Sequence, residues 1–241
     1  MDTSLIILGV ALVLVLYVVF FFTTAKDSLA DKLDLAQVQS PILKTSLTKP
    51  QNSKFSYEFW MYVYGTKENA TSTGGSYIFY RNASAAANSP KNIGLKLDSR
   101  IPSLTLDYTA SRTASGTTTT VPVAVVITDN LPLQSWVHVI VSVDNSYIDI
   151  YMNGKLVKSI KDTIATPSDE ESIQFEISKT YLAKFQRTAS PTDPQTAWNH
   201  YLEGNGDNPI KKYTGDYNLA LSFKKGEKDS DAWKLNILGS Q

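Results

Sequence analysis

From Trp136 to Ile160 the chain reads WVHVIVSVDNSYIDIYMNGKLVKSI, and this stretch constrains the fold more than any other. Val137, Val139, Val141 and Val143 alternate with Trp136, His138, Ile140 and Ser142, the period-two pattern of a strand with two unlike faces. Asn145-Ser146 predicts a turn, and SYIDIYM predicts a return strand. Asn153-Gly154 then supplies the two positive φ angles of a type I′ hairpin, and KLVKSI follows as a third strand. A chain that contains such a meander must bury it against a second layer.

The same alternation recurs upstream. Phe55, Tyr57, Phe59, Met61 and Val63 share one face of a predicted strand, while Glu58, Trp60, Tyr62 and Tyr64 share the other. Further strands are predicted over 76–81, 92–98, 102–108, 121–128, 172–178, 217–223 and 232–238. Residues 109–120 hold eight Ser or Thr in 12 positions and predict a mobile surface loop. One helix stands among the strands, with Asp193 as N-cap, Pro194 at the first helical position and Gly204 as terminator. Its predicted apolar face is Ala197, Trp198, Tyr201 and Leu202. Ten or more short strands with one late helix predict an all-β, antiparallel jelly-roll β-sandwich over residues 55–241. Trp136, Trp198 and Trp233 are expected in its core.

A different physics governs the N-terminus. Leu5 to Phe22 is an uncharged run of 18 residues in which Gly9 alone is not apolar. As a helix it covers about 27 Å, enough for a hydrocarbon core of about 30 Å. The anchor, residues 1–25, is carried by Leu5, Ile6, Ile7, Leu8, Leu12, Leu14, Leu16, Tyr17, Phe20, Phe21 and Phe22. Met1-Asp2-Thr3-Ser4 is not basic, unlike the start of a cleaved signal peptide, so an uncleaved single-pass anchor is expected. Lys26 and Lys32 follow the span with nothing basic before it, which tilts the charge balance toward a cytoplasmic main domain. Residues 26–54 predict a short juxtamembrane helix over 27–38 and then an extended spacer containing Pro41 and Pro50.

Composition removes several chemistries. There is no cysteine, hence no disulfide, thiolate metal site or cysteine nucleophile, and a reducing compartment fits. Lys plus Arg and Asp plus Glu both number 23, so no bulk charge favours nucleic acid as a partner. Only His138 and His200 are available as imidazole bases. His138 is expected to be packed or hydrogen-bonded, and His200 is expected on the polar side of its helix. No cofactor is expected. Calcium is the one metal weighed, through Asp98, Asp107, Asp144 and Asp207 at strand ends or loops. Exposed Trp60, Tyr62 and Tyr64 would serve as a sugar-stacking face; packed, they would be core or interface.

FSYEFWMYVY and the Trp-x-His strand leading to Tyr-Met-Asn-Gly-Lys resemble the concanavalin A-like lectin/glucanase superfamily in its laminin-G-like branch. AKFQRTASPTDPQTAWNHYLEGNG is similar to that family's late strand-helix element. The resemblance implies the sandwich fold; the fold itself hosts lectins, glycosidases and structural proteins. The family's glucanases carry three acids on one strand, whereas Tyr147-Ile148-Asp149-Ile150-Tyr151 has one, so no enzymatic activity is expected. Span, spacer and single domain together also resemble virion membrane or minor capsid proteins of nucleocytoplasmic large DNA viruses. That likeness implies a structural docking protein linking the viral internal membrane to the capsid shell, with the bilayer and capsid proteins as partners. The alternative is a membrane-anchored, lectin-like glycan-binding module.

Overall fold

The computed structural model describes residues 26–65, 75–82, 90–98, 100–166, 172–206, 220–223 and 233–236. The predicted anchor Leu5–Phe22 lies outside them, as does Asp207; among the described residues no helix is long and apolar enough to cross a membrane.

The described residues from Lys26 to Asn205 form a two-layer antiparallel sandwich. The first sheet has six strands in the order β1 (Lys26–Asp34), β11 (Thr180–Thr188), β2 (Lys54–Val63), β7 (Trp136–Asp144), β8 (Tyr147–Met152) and β9 (Lys155–Lys161). The second has five: β10 (Ile173–Gln174), β3 (Ser76–Asn82), β4 (Lys91–Leu97), β5 (Leu104–Ala114) and β6 (Thr117–Thr128). Among the described residues one α-helix, α1 (Pro194–Leu202), follows β11. Beyond it, β12 (Ala220–Phe223) and β13 (Trp233–Asn236) pair as a separate antiparallel hairpin. The side chain of Trp233, predicted in the core, is outside the described residues.

The inward faces are those the alternation selects. Phe55, Tyr57, Phe59, Met61 and Val63 are buried, and so are Val137, Val139, Val141 and Val143. Tyr57 and Phe59 of the first sheet pack on Phe79 of the second at ring separations of 4.9 and 5.7 Å. Each such ring removes a large apolar surface from water and locks the two layers in one register. One end of the core is closed by two buried arginines. Arg187 of β11 donates to the carbonyls of Thr48 and Lys49, and Arg81 of β3 to that of Pro50.

Three sequence expectations are corrected. Residues 27–38 hold no helix: β1 is the edge strand of the six-stranded sheet, so the sandwich begins at Lys26, and 26–54 is part of it apart from any spacer role. Leu29 and Leu33 pack against the core as strand residues, with a bulge between Ser28 and Ala30 resetting the register. Residues 109–120 are no loop but the arms of the β5–β6 hairpin, turned by Ser115 and Gly116 at φ 50° and 79°. In the predicted strand 172–178 only Ile173 and Gln174 pair as β10.

Candidate functional site

The outward face of the six-stranded sheet is built in rows, because residues directly opposite each other on neighbouring strands share a face. Starting at the Lys26 end, the first row contains Thr188, Ser56 and Ser142; the next Gln186, Glu58, Ile140 and Tyr151; then Ala183, Trp60 and His138; and finally Asp34, Tyr181, Tyr62 and Trp136.

The chain after β11 climbs this face and covers the first three rows. Thr192 bonds the hydroxyls of Ser56 and Ser142, which pins the segment before the helix. Asp193 then caps α1 by accepting from the Thr196 hydroxyl and from the amides of Thr196 and Gln195, and these bonds hold its carboxyl below the usual aspartate range. Ala197 is buried against Ile140 and Tyr151. Tyr201 stacks on Trp60 at 5.7 Å, and Trp198 lies against Gly154.

Beneath the helix, Glu58 bridges two histidines. Its Oε1 meets Nε2 of His138 at 3.0 Å and its Oε2 meets Nδ1 of His200 at 2.8 Å. Burial by itself would raise the Glu58 pKa, but the two hydrogen bonds and the positive potential of the rings lower it to about 2. The carboxylate is therefore ionised and fully engaged. His138 is buried and bonded, as expected; His200 faces inward, contrary to expectation, because the sheet presents a carboxylate under that side of the helix. The helical face that packs is thus Ala197, His200 and Tyr201. Trp198, predicted as core, and Leu202, predicted on the apolar face of the helix, are 38% and 64% exposed.

The fourth row is left open where α1 ends. Tyr62 lies 5.5 Å from Trp136 and 6.4 Å from Tyr181, and Tyr64 packs on Tyr181 at 4.8 Å. Tyr181 is 41% exposed, and Tyr62, Tyr64 and Trp136 are half-buried. Trp136 thus belongs to a surface platform, where core was expected. Of the three predicted stacking residues, Tyr62 and Tyr64 join the platform. Trp60, 7% exposed under Tyr201, does not. Asp34 closes the row with a carboxylate whose Oδ1 accepts from the Ala36 amide. Partial burial, then the charge of Asp34, raise the Tyr64 phenol above its ordinary pKa, so it stays a neutral donor.

The aspartates weighed for calcium do not converge. Asp98 accepts from the amides of Arg100 and Ile101, Asp107 lies on the other sheet beside Lys96, and Asp144 pairs with Lys54. Among the described residues no three His, Asp or Glu side chains come together as a metal site.

A laminin-G-type family model, described as the concanavalin A-like lectin/glucanases superfamily, matches residues 36–174. Among solved structures the chain is similar to the sialidase of Trypanosoma rangeli, at 11% identity and a TM-score of 0.51, over 73% of this chain and 28% of that one. It is also similar to the binding domain of botulinum neurotoxin serotype G, at 15% identity and a TM-score of 0.46, over 84% of this chain and 54% of that one. The chain therefore spans about a quarter of the sialidase and about half of the toxin domain, and its likeness to the sialidase is one of fold. No curated protein matches it by sequence.

Proposed function

The chain belongs to the concanavalin A-like lectin/glucanases superfamily, and on that fold we propose a non-enzymatic recognition module, tethered to a membrane by Leu5–Phe22, that binds glycan on its open aromatic row. The observation that carries this reading is the row itself: Tyr181, Tyr62 and Trp136 side by side, Tyr64 above them and the Asp34 carboxylate at the end. Aromatic rings offer an apolar platform to the C–H face of a sugar, and a carboxylate and phenols bond its hydroxyls.

Placement supports it. Only Thr23, Thr24 and Ala25 separate the apolar run from Lys26, where β1 begins. β1 then runs to Asp34, opposite Tyr181, so the row lies about 27 Å along the strand from the tether. The platform is presented at the far end of the sandwich from the bilayer.

The test is a glycan array probed with the full chain in a detergent that carries no sugar headgroup. Binding to a defined set of glycans, lowered at least tenfold by Tyr181→Ala, is the expected result. An array without signal, or a signal indifferent to both Tyr181→Ala and Tyr62→Ala, rejects it.

Structural docking at the shell of a large DNA virus is the second reading. Exposed Trp198 and Leu202, with Leu156 exposed on β9, favour a protein contact. It predicts that purified particles contain the chain and release it only with detergent; release by salt alone counts against it.

A further inference from the structure

We propose that β9, an open edge of the six-stranded sheet, is a docking edge for an acidic, extended segment of a partner protein, which adds to the sheet as a seventh strand. Among the described residues β9 (KLVKSIK) is bonded to β8 alone, and its side chains are exposed apart from the half-buried Ile160. Met152 and Lys155 flank the two-residue turn at Asn153 and Gly154 and are therefore a hydrogen-bonded pair. The alternation then passes the bulged Val157, so Lys158 and Ile160 also bond β8. Leu156, Ser159 and Lys161 turn their backbone N–H and C=O groups the other way, toward an incoming strand.

Charge says which strand that is. Lys155, Lys158 and Lys161 are the only charges on β9, and among the described residues none of them stands in an ion pair. At the other edge of the same sheet, β1 mixes three Asp with two Lys. Charge of either sign guards an edge against indiscriminate pairing, but a single sign also selects. A second copy of β9 would set lysine against lysine, which opposes pairing.

The two sides of β9 differ as well. Lys155 and Lys158 stand opposite Met152 and Ile150, on the side that carries the core. Leu156 stands opposite Tyr151, on the side that carries α1, where Trp198 lies against Gly154. Leu156 is 50% exposed, and Leu202, one helical turn beyond Trp198, is also exposed. A segment that alternates acidic and apolar residues meets the lysines with one face and Leu156 with the other. In this mode of recognition the main chain supplies affinity and the alternate side chains supply specificity. The edge is separate from the aromatic row, so the inference does not rest on the glycan reading, and it requires no virion.

Fluorescence anisotropy on the full chain at pH 7, in a non-ionic detergent, provides the test. The probe is a blocked seven-residue peptide of alternating Glu and Val, with a Lys and Val peptide and a backbone N-methylated Glu and Val peptide as controls. The Glu and Val peptide should bind saturably and at least tenfold more tightly than either control, and binding should weaken at least threefold between about 50 and 300 mM salt. Hydrogen exchange at the Leu156, Ser159 and Lys161 amides should slow at least tenfold when it binds. Lys155→Glu, Lys158→Glu and Lys161→Glu together should transfer the preference to the Lys and Val peptide. Ser159→Pro removes one outward N–H at an edge position that tolerates proline, and should weaken binding at least tenfold. No saturable binding of the Glu and Val peptide overturns the proposal. So does equal binding of the N-methylated peptide, unchanged exchange at the three amides, or a preference that survives the charge reversal.

Discussion

His200 bonds through Nδ1 to Oε2 of Glu58 at 2.8 Å, across a sequence separation of 142 residues. This contact, with the second one to His138, fixes where α1 lies on the sheet and so decides which row of the outward face stays open.

Glu58 gives the fold a pH signature. Its folded pKa of about 2 lies below the ordinary 4.5, so the stabilisation is complete above the unfolded value and is lost as pH falls from about 4.5 through 2. The full loss corresponds to about 3 kcal/mol. Urea unfolding at pH 7, 4 and 2.5 should show that acid-side slope in the parent chain. Glu58→Gln should lack it and be about 1–3 kcal/mol less stable at pH 7. Equal slopes would mean that the carboxylate is not held as described.

Gly154 couples the β8–β9 hairpin to the helix. Its φ is +74°, and an added Cβ would approach Trp198 Cε3 to 2.8 Å. Gly154→Ala therefore combines about 1–2 kcal/mol of backbone strain with a displaced indole. A drop in Tm of several degrees should accompany a shift in tryptophan emission; an unchanged spectrum would show that the helix is not seated there.

Arg187 closes one end of the core through the carbonyls of Thr48 and Lys49, with its guanidinium 5.4 Å from the Phe55 ring centre. Arg187→Ala takes that donor from the Thr48 and Lys49 carbonyls and opens a cavity where the buried guanidinium lay, at a cost of about 3 kcal/mol. Arg187→Lys should recover part of this in denaturant titration. If Ala and Lys prove equally mild, the clamp is not structural.

Trimming the β5–β6 hairpin tip should do little. Residues 112–120 are all exposed and Arg112 makes only a surface ion pair with Asp162, so replacing 112–119 by a two-residue turn is expected to change stability by less than about 0.5 kcal/mol. A larger loss would assign the tip a packing role.

Strands with strict alternation, such as β2 and β7, were legible because one face was apolar and the other was not. β1 was not, for a physical reason. KDSLADKLD carries five charges and places Leu29 and Leu33 four apart, a spacing that suits a helix face as well as a bulged edge strand. Charge on an edge strand is what prevents open pairing with other chains, so the residues that hid it are those it needs. The Thr-rich hairpin was hidden in a similar way, since hydroxyls mask the β-branched preference of threonine for strands. Tyr62 and Tyr64 could be nominated from one strand alone. Adding Trp136, Tyr181 and Asp34 required cross-strand register, which no local pattern supplies. His200 was misplaced because the helix that carries it is held by a buried ionic contact, invisible to hydrophobic periodicity.

The position of β1 has a mechanical consequence. On the proposed reading, with the anchor before Lys26 and glycan on the aromatic row at the other end of β1, a pull between the two would run along the strand axis. Such a load slides β1 against β11 instead of peeling it away, so the ladder from Lys26–Thr188 to Asp34–Tyr181 resists as a group. An edge strand, ordinarily the weakest part of a sheet, then becomes the strap through which tension passes.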